Sequence, residues 1–340
     1  MSTTATEIVL PGRVEPDGLL VTRRDLPAPG AGQALVRVEA SGVSFAEQQM
    51  RRGKYYDQPA FPFVPGYDLV GTVTAVGADV DPGLIGTRVA ALTKIGGWAS
   101  HAVLEAADLV AVPAALDAAE AETFVVNGIT AWQMLFRTAQ VRPGQTVLVH
   151  GANGGVGSTL VQLARANGIH VIGTASARNA EAVRALGATW VDYRGDVPQQ
   201  VRALAPDGVD AVFDHVGGPG IADSFALLAP HGTLVSYGTA ATKNDAGNSR
   251  LPVLKLLGRI LLWNALPNKR SAHFFNLWAG KRDRAGFRAR ITEDLGQVFD
   301  LAARGDLRAQ VAARVPLAEA ARAMELAESG TVVGKVVLVP

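Results

Sequence analysis

The sequence contains no cysteine and carries almost no net charge. Without cysteine, disulfide bonds, thiolate zinc sites and a cysteine nucleophile are all excluded. The 340 residues include 32 lysines and arginines against 31 aspartates and glutamates, which gives a formal net charge of +1. Nucleic-acid-binding domains usually carry a large basic excess, so this balance argues against nucleic acid as the main partner.

Long hydrophobic runs are absent as well. No stretch approaches the roughly 20 apolar residues of a membrane span. The N-terminal segment MSTTATEIVLPGRVEP has no basic region followed by an apolar signal core. We therefore expect a cytoplasmic protein. The sequence does have a 48% hydrophobic content, enough for a sizeable core, and its length is typical of about two domains.

Two regions of the chain differ in their sequence pattern. Residues 7–113 hold short β-rich runs separated by glycine and proline, which is typical of a compact β unit. Residues 123–266 alternate apolar strands with helical patterns, which indicates βαβ units and a doubly wound parallel sheet. We predict an α/β protein with a β-rich domain (residues 1–122 and 270–340, joined by the terminal strand GKVVLVP) and a Rossmann domain (residues 123–269). The predicted parallel strands are residues 146–150, 170–175, 190–193, 210–214 and 233–237.

The strongest motif is TVLVHGANGGVGSTLVQLARANG, residues 146–168, which predicts a buried strand, a glycine turn and a helix that ends at Gly168. A helix N-terminus offers unpaired N–H groups and partial positive charge, and glycine lets a pyrophosphate approach the backbone. Serine rather than lysine follows Gly157, so the P-loop of nucleoside triphosphatases is excluded. A tight turn without a ligand is the alternative. The predicted dinucleotide-binding residues here are Gly151, Asn153, Gly154, Gly155, Val156 and Gly157.

The end of the second parallel strand predicts which dinucleotide binds. An acidic residue there would hold the ribose 2′-OH of NAD, but the segment HVIGTASARNAEAV has none before Glu181. Ser176 and Arg178 instead suit a 2′-phosphate, since a charge-assisted hydrogen bond contributes about 1.5–3 kcal/mol. The segment therefore favours NADPH, with Tyr193 as a further contact. A solvated charge at a helix start is the alternative reading of Arg178.

Six motifs in fixed order resemble one superfamily over nearly the whole chain. They are VPGYDLVGTVTAVG, VNGITAWQML, VRPGQTVLVHGANGGVGSTLVQLA, DAVFDHVGG, GTLVSYG and GKVVLV. Together they resemble the medium-chain dehydrogenase/reductase superfamily, in its zinc-free quinone oxidoreductase (zeta-crystallin-like) branch. The resemblance implies a GroES-like β domain, a Rossmann domain, a cleft between them and a homodimer.

The residues present also argue against zinc. Zinc-bearing relatives use a cysteine and a Gly-His-Glu element, where this chain has Tyr67 and Asp68 and no cysteine. No metal is therefore predicted. Hydride transfer from NADPH then favours an acceptor whose product anion is already stabilised, namely a quinone or the activated C=C of an enone or enal.

The resemblance implies several site residues. Tyr55 matches a tyrosine often assigned as proton donor, with an aromatic pocket wall as the alternative. Tyr56 and Ser44 are predicted to line the substrate pocket, Ser44 standing where the branch usually has asparagine. Arg51 and Arg52 are expected to be surface charges, with steering of an anionic acceptor as the alternative.

Further cofactor contacts are implied on the strand ends and the crossover helix. Asn127 and Thr130 match the segment that borders the nicotinamide. Val216, Gly238 and Thr239 follow the fourth and fifth parallel strands, at carboxyl ends where such sheets bind ligands.

Residues 243–290 are unusually basic, with eleven lysines and arginines against Asp245 and Asp283, and contain LPVLKLLGRILLWNALP. We expect a lid or dimer element there, with membrane-surface binding or an anionic-substrate funnel as alternatives. The functional alternatives are an enoyl-thioester reductase, a pathway-specific biosynthetic reductase, and a non-catalytic, membrane-associated NADPH-binding protein.

Overall fold

The computed structural model describes residues 3–242 and 250–340 and divides into two compact units. The β-rich unit consists of Met1–Ile129 and Gly280–Pro340, and the parallel-sheet unit consists of Thr130–Ala279. The predicted α/β architecture, a β-rich domain plus a Rossmann domain, is confirmed.

The elements alternate as the sequence patterns predict. The strands are β1 (Thr3–Val9), β2 (Leu20–Leu26), β3 (Gln33–Val43), β4 (Asp68–Val76), β5 (Arg88–Leu92), β6 (His101–Glu105), β7 (Val110–Ala111), β8 (Thr146–Val149), β9 (His170–Ala175), β10 (Thr189–Asp192), β11 (Val209–Asp214), β12 (Leu228–Ser236), β13 (Ser271–Phe274), β14 (Val311–Pro316) and β15 (Lys335–Val339). The helices are α1 (Phe45–Arg51), α2 (Ala118–Trp132), α3 (Gly155–Ala166), α4 (Ala180–Ala185), α5 (Val197–Leu204), α6 (Ile221–Ala226), α7 (Arg250–Ala265), α8 (Arg284–Ala303) and α9 (Ala320–Glu328).

The β-rich unit is built on a sheet in the order β14-β15-β3-β4-β5-β7, with β6 also pairing β3. The terminal strand β15 runs antiparallel to β3, with Val336 opposite Val43, and parallel to β14. Its alternating apolar residues pack into the core around the fully buried Trp98. The end of the chain therefore returns to the β-rich unit, as the GKVVLVP pattern predicts.

The second unit is a parallel sheet in the order β10-β9-β8-β11-β12-β13. The order reverses between β8 and β11, so the carboxyl ends of these two strands flank the switch point where such sheets bind ligands, and β9 lies next to β8. Strand β12 begins at Leu228, five residues before the predicted start at residue 233. Strand β13 extends the sheet to Phe274, past residue 269 where the sequence prediction ended the Rossmann domain.

Candidate functional site

The glycine turn after β8 is tight on its inner side and open on its outer side. Gly151 has φ +65°, and a Cβ on the buried Gly157 would lie 2.1 Å from the carbonyl oxygen of Gly151. At Gly154, by contrast, the nearest described atom to a Cβ is that same oxygen at an ordinary 3.4 Å. Helix α3 begins directly after Gly154, and no described side chain caps its N–H groups. The turn therefore has the backbone donors and the space that a pyrophosphate needs. The other predicted contacts, Asn153, Gly155 and Val156, are partly exposed.

The residues predicted to read the ribose lie together at the next strand end. Ser176 follows β9 and is buried, whereas Arg178 and Tyr193 are exposed. The backbone N–H of Tyr193 donates to the carbonyl oxygen of Ala175 at 3.3 Å, which places Tyr193 beside Ser176. The guanidinium of Arg194 lies 5.7 Å from the centre of the Tyr193 ring. The structure thus brings two basic side chains and a serine to one edge of the sheet.

The loops after β11 and β12 lie against each other. A Cβ on Gly238 would lie 2.7 Å from the carbonyl oxygen of His215, and one on Gly217 would lie 3.1 Å from that of Gly238. This contact brings the predicted Val216, Gly238 and Thr239 into one group at the carboxyl edge.

The loop after β11 is held by Asp214, whose carboxylate is buried. It accepts from the backbone N–H of Val216 at 2.7 Å and of Gly217 at 2.8 Å, and from the Ser224 hydroxyl at 2.7 Å. Burial alone would raise the pKa of Asp214, but His150 and these donors lower it overall. The carboxylate therefore stays ionised and fixes the loop.

Asn127 and Thr130 lie three residues apart in the second half of α2, with both side chains buried. Thr130 lies inside the helix and not at its N-cap. The same helix is fixed to β4, because the Val126 N–H donates to Oδ2 of Asp68 at 2.9 Å.

Tyr55 belongs to a buried pair of phenols. Its hydroxyl lies 2.8 Å from that of Tyr67, and the two rings meet edge to face. The Tyr56 ring packs against it at 4.8 Å between centroids. Burial raises the pKa of Tyr55 far above its ordinary value, and the neighbouring phenols add to this shift. Tyr55 is therefore a neutral phenol, and either hydroxyl of the Tyr55–Tyr67 pair can be the donor.

Ser44 is the N-cap of α1: its hydroxyl hydrogen-bonds the Glu47 carboxylate and accepts from the N–H of Ala46. It is partly exposed, and its place in the substrate pocket stays a prediction. The expectation for Arg51 needs correction. Arg51 is 2% exposed and makes a bidentate pair with Glu328, its Nη2 lying 2.9 Å from both carboxylate oxygens. The nearby Arg52 joins the same carboxylate. Arg51 is neither a surface charge nor an anion-steering group.

Comparison with known proteins places the chain in a family. It is 33% identical over 328 residues to the synaptic vesicle membrane protein VAT-1 homolog of Rattus norvegicus, a match that spans 92% of this chain and 78% of that protein. It is 34% identical over 218 residues to the quinone oxidoreductase of the same species, spanning 63% of this chain and 66% of that protein. The chain belongs to the medium-chain dehydrogenase/reductase superfamily, in its zinc-free quinone oxidoreductase branch.

Domain models and a solved structure agree with this membership. The alcohol dehydrogenase GroES-like domain matches residues 30–114, and the zinc-binding dehydrogenase domain matches residues 186–338. Escherichia coli quinone oxidoreductase complexed with NADPH superposes with a TM-score of 0.86 at 27% identity, covering 98% of this chain and 100% of that one. In this chain the GroES-like domain corresponds to the β-rich unit and the Rossmann domain to the parallel-sheet unit.

Sequence reasoning missed a buried charge cluster in the β-rich unit. The ammonium Nζ of Lys335 lies 2.7 Å from Oδ2 of Asp68 and 2.6 Å from Oε1 of Glu122, and all three side chains are buried. Burial raises the pKa of Glu122, whereas the two carboxylates raise the pKa of Lys335 against the effect of its burial. Among the described residues, no group of three or more histidines and carboxylates could hold a metal ion.

The basic segment is only partly described, because Lys243 and Asp245 lie outside residues 3–242 and 250–340. Helix α7 buries Leu256 and Ile260 and stacks Trp263 on Phe225, with 4.4 Å between ring centroids. Its other face exposes leucines at positions 251, 254, 257, 261 and 262. Among the helices that the structure describes, none is long and apolar enough to cross a membrane.

Proposed function

We propose that this protein is an NADPH-dependent reductase of quinones or of activated C=C bonds in enones and enals, and that it works without a metal. The observation that carries the proposal is the open glycine turn at the start of α3, next to a strand end that carries Ser176 and Arg178. The match to a quinone oxidoreductase solved with NADPH supports the same reaction class.

The preference for NADPH over NADH is argued from charge. Residues 174–180 contain no aspartate or glutamate that could accept a hydrogen bond from a ribose 2′-OH. Arg178 and Ser176 offer donors to a 2′-phosphate, and the exposed Tyr193 lies beside them. A guanidinium suits a phosphate because it can donate two parallel hydrogen bonds.

The chain's residues have separate tasks in this proposal. The N–H groups at the start of α3 bind the pyrophosphate, and Asn127 and Thr130 hold the carboxamide of the nicotinamide. NADPH supplies a hydride when it is bound. Tyr55 donates a hydrogen bond to the acceptor oxygen on which negative charge develops, which a phenol kept neutral by burial can do at any working pH.

The test is to measure oxidation of NADPH and, separately, of NADH by the purified protein with an ortho-quinone, a simple enone and crotonyl-CoA. We expect turnover with NADPH preferred, and the better of the first two acceptors then distinguishes quinone from alkene reduction. Faster turnover of crotonyl-CoA would instead establish an enoyl-thioester reductase. NADPH binding without turnover on any acceptor would contradict the proposal and favour a non-catalytic role or a dedicated biosynthetic substrate.

We also propose that the exposed leucines of α7 form a contact between two copies of the chain in a homodimer. Leu251, Leu254 and Leu261 recur at helical spacing on one face and are all more than half exposed. Light scattering after size-exclusion chromatography should show a dimer that Leu254→Glu/Leu261→Glu converts to monomer. Leu204→Glu, an exposed leucine on α5, is the control. A dimer unchanged by the double substitution, or binding of the wild type to anionic vesicles through this face, would contradict the assignment.

A further inference from the structure

We propose that His150 is a positioning residue for the cofactor, through a directed chain of hydrogen bonds that joins the glycine turn to the loop after β11. The inference rests on the proposed function, since both segments are predicted to contact NADPH. Four elements meet in this chain: the ends of β8, β9 and β11 and the helix α6.

The first half of the chain holds the glycine turn. The backbone N–H of Gly151, the first turn glycine, donates to the Thr174 hydroxyl oxygen at 3.2 Å. The same hydroxyl lies 3.4 Å from Nδ1 of His150. His150 directly follows β8, Thr174 lies near the end of β9, and Thr174 is 2% exposed. The Thr174 hydroxyl thus fixes the backbone at the point where the turn begins.

The second half holds the loop after β11. Nε2 of His150 lies 3.1 Å from the Ser224 hydroxyl, which donates to Oδ2 of Asp214 at 2.7 Å. The other oxygen of Asp214 accepts from the N–H groups of Val216 and Gly217. His150 is therefore the one residue of this chain that contacts both halves among the described side chains.

The donors and acceptors allow one arrangement. Because the Ser224 proton goes to the Asp214 carboxylate, the Ser224 oxygen must accept from His150, so the imidazole carries its proton on Nε2. A neutral imidazole has only one proton, so Nδ1 must accept from the Thr174 hydroxyl. That assignment leaves the Thr174 oxygen as the acceptor for Gly151. The hydrogen bond from the Thr174 hydroxyl to Nδ1 has this direction only while His150 is neutral.

Burial supports this state. The imidazole of His150 is partly buried in the parallel-sheet unit, and burial lowers its pKa while Asp214 partly opposes the shift. A charged imidazole would donate from both nitrogens, so Nδ1 could no longer accept from the Thr174 hydroxyl. The Thr174 proton would then have to point elsewhere, while the Thr174 oxygen could still accept from the Gly151 N–H.

The test uses dinucleotide dissociation constants, measured by nucleotide fluorescence on the full-length protein. Thr174→Val and His150→Gln both break the hydrogen bond that joins the two halves of the chain, and each is expected to weaken NADPH and NADH alike by about two- to tenfold, the range of one net hydrogen bond. Thr174→Ser keeps the hydroxyl and should bind both like the wild type. The double variant Thr174→Val/His150→Gln should be no weaker than the weaker single variant, because both break the same link.

Several results would overturn the inference. If Thr174→Val melts at a lower temperature yet binds both dinucleotides as tightly as the wild type, the hydroxyl has a purely structural role. Additive losses in the double variant would also contradict a single chain. If Thr174→Val does not fold, Ser224→Ala gives the same readout from the other half. A wild-type protein that binds neither dinucleotide contradicts the proposed function itself.

Discussion

The two units each bury a polar cluster, and the clusters are built differently. In the parallel-sheet unit, neutral side chains and one carboxylate form a line that ends on backbone N–H groups of two loops. In the β-rich unit, Lys335, Asp68 and Glu122 are three ionisable groups that mainly contact one another. The first arrangement positions loops that are expected to hold a ligand, and the second ties β15 to β4 and α2. A buried polar cluster therefore does not by itself indicate a ligand site. The cluster in the parallel-sheet unit does so because its hydrogen bonds hold the backbone of two loops that are expected to contact the cofactor.

The largest effect is expected when the charge cluster of Lys335, Asp68 and Glu122 loses its cation. Lys335→Met leaves two buried carboxylates without their cation, so the free energy of unfolding should fall by about 3–5 kcal/mol. Urea unfolding measures this loss, with Lys335→Arg as the variant that keeps the charge. NADPH affinity of the folded fraction should stay unchanged. A loss within about 0.5 kcal/mol, the range of ordinary surface substitutions, would contradict the role assigned to the cluster.

A substitution in the open part of the glycine turn should weaken NADPH binding and leave the stability of the fold nearly unchanged, the reverse of the effect at Lys335. Gly154→Val places its side chain in the open space of the turn, so NADPH binding should weaken by about 100-fold or more while the melting temperature changes little. Gly157→Ala is the matched comparison, because its Cβ would lie 2.1 Å from a backbone oxygen and should destabilise the fold. Calorimetry and fluorescence titration separate the two effects. Unchanged NADPH binding by Gly154→Val would contradict the pyrophosphate assignment.

A substitution of Arg178 tests whether this side chain of the parallel-sheet unit contacts the 2′-phosphate of NADPH. Arg178→Ala should weaken NADPH by about 10- to 100-fold, because it removes a charge-assisted hydrogen bond, and should leave NADH affinity unchanged. Arg184→Ala, an exposed arginine of α4 that pairs with Glu181, is the control. Equal losses for both dinucleotides would mean that Arg178 does not contact a 2′-phosphate.

The smallest effect is the pH dependence of stability. Burial lowers the pKa of His150 in the folded state, so its contribution is complete above the unfolded value of about 6.5 and is lost as pH falls toward the folded pKa. Below about pH 6.5 the wild type should lose up to about 1.4 kcal/mol per pH unit more than His150→Gln does. Urea unfolding of both proteins at several pH values measures the difference. Parallel pH profiles would show that His150 is not kept neutral by the fold.

The elements that could be predicted from the sequence are those that a run of adjacent residues indicates. The glycine turn and the strand starting at His170 follow from adjacent residues, because backbone conformation and strand pattern are local properties. The fourth and fifth parallel strands, β11 and β12, also follow from the sequence, although β12 begins earlier than its β-branched residues suggest. Four-residue β13 has one half-exposed histidine in a short SAHF run, too little pattern to predict a strand.

The missed residues depend on partners far along the chain. Lys335 meets Asp68 across 267 positions, and Arg51 meets Glu328 across 277, so their burial is a consequence of the fold and not of spacing. Asp214 left a weak signal, since it is the last residue of a parallel strand in DAVFDHVGG. Its partner Ser224 lies on a helix and left none.

We expect the glycine turn and the end of β9 to bind NADPH in preference to NADH. Titration of the wild-type protein with each dinucleotide, followed by fluorescence, measures this preference. Binding of both should be saturable, with NADPH at least about tenfold tighter, the lower limit of a charge-assisted contact to the 2′-phosphate. Equal affinities, or tighter binding of NADH, would contradict it.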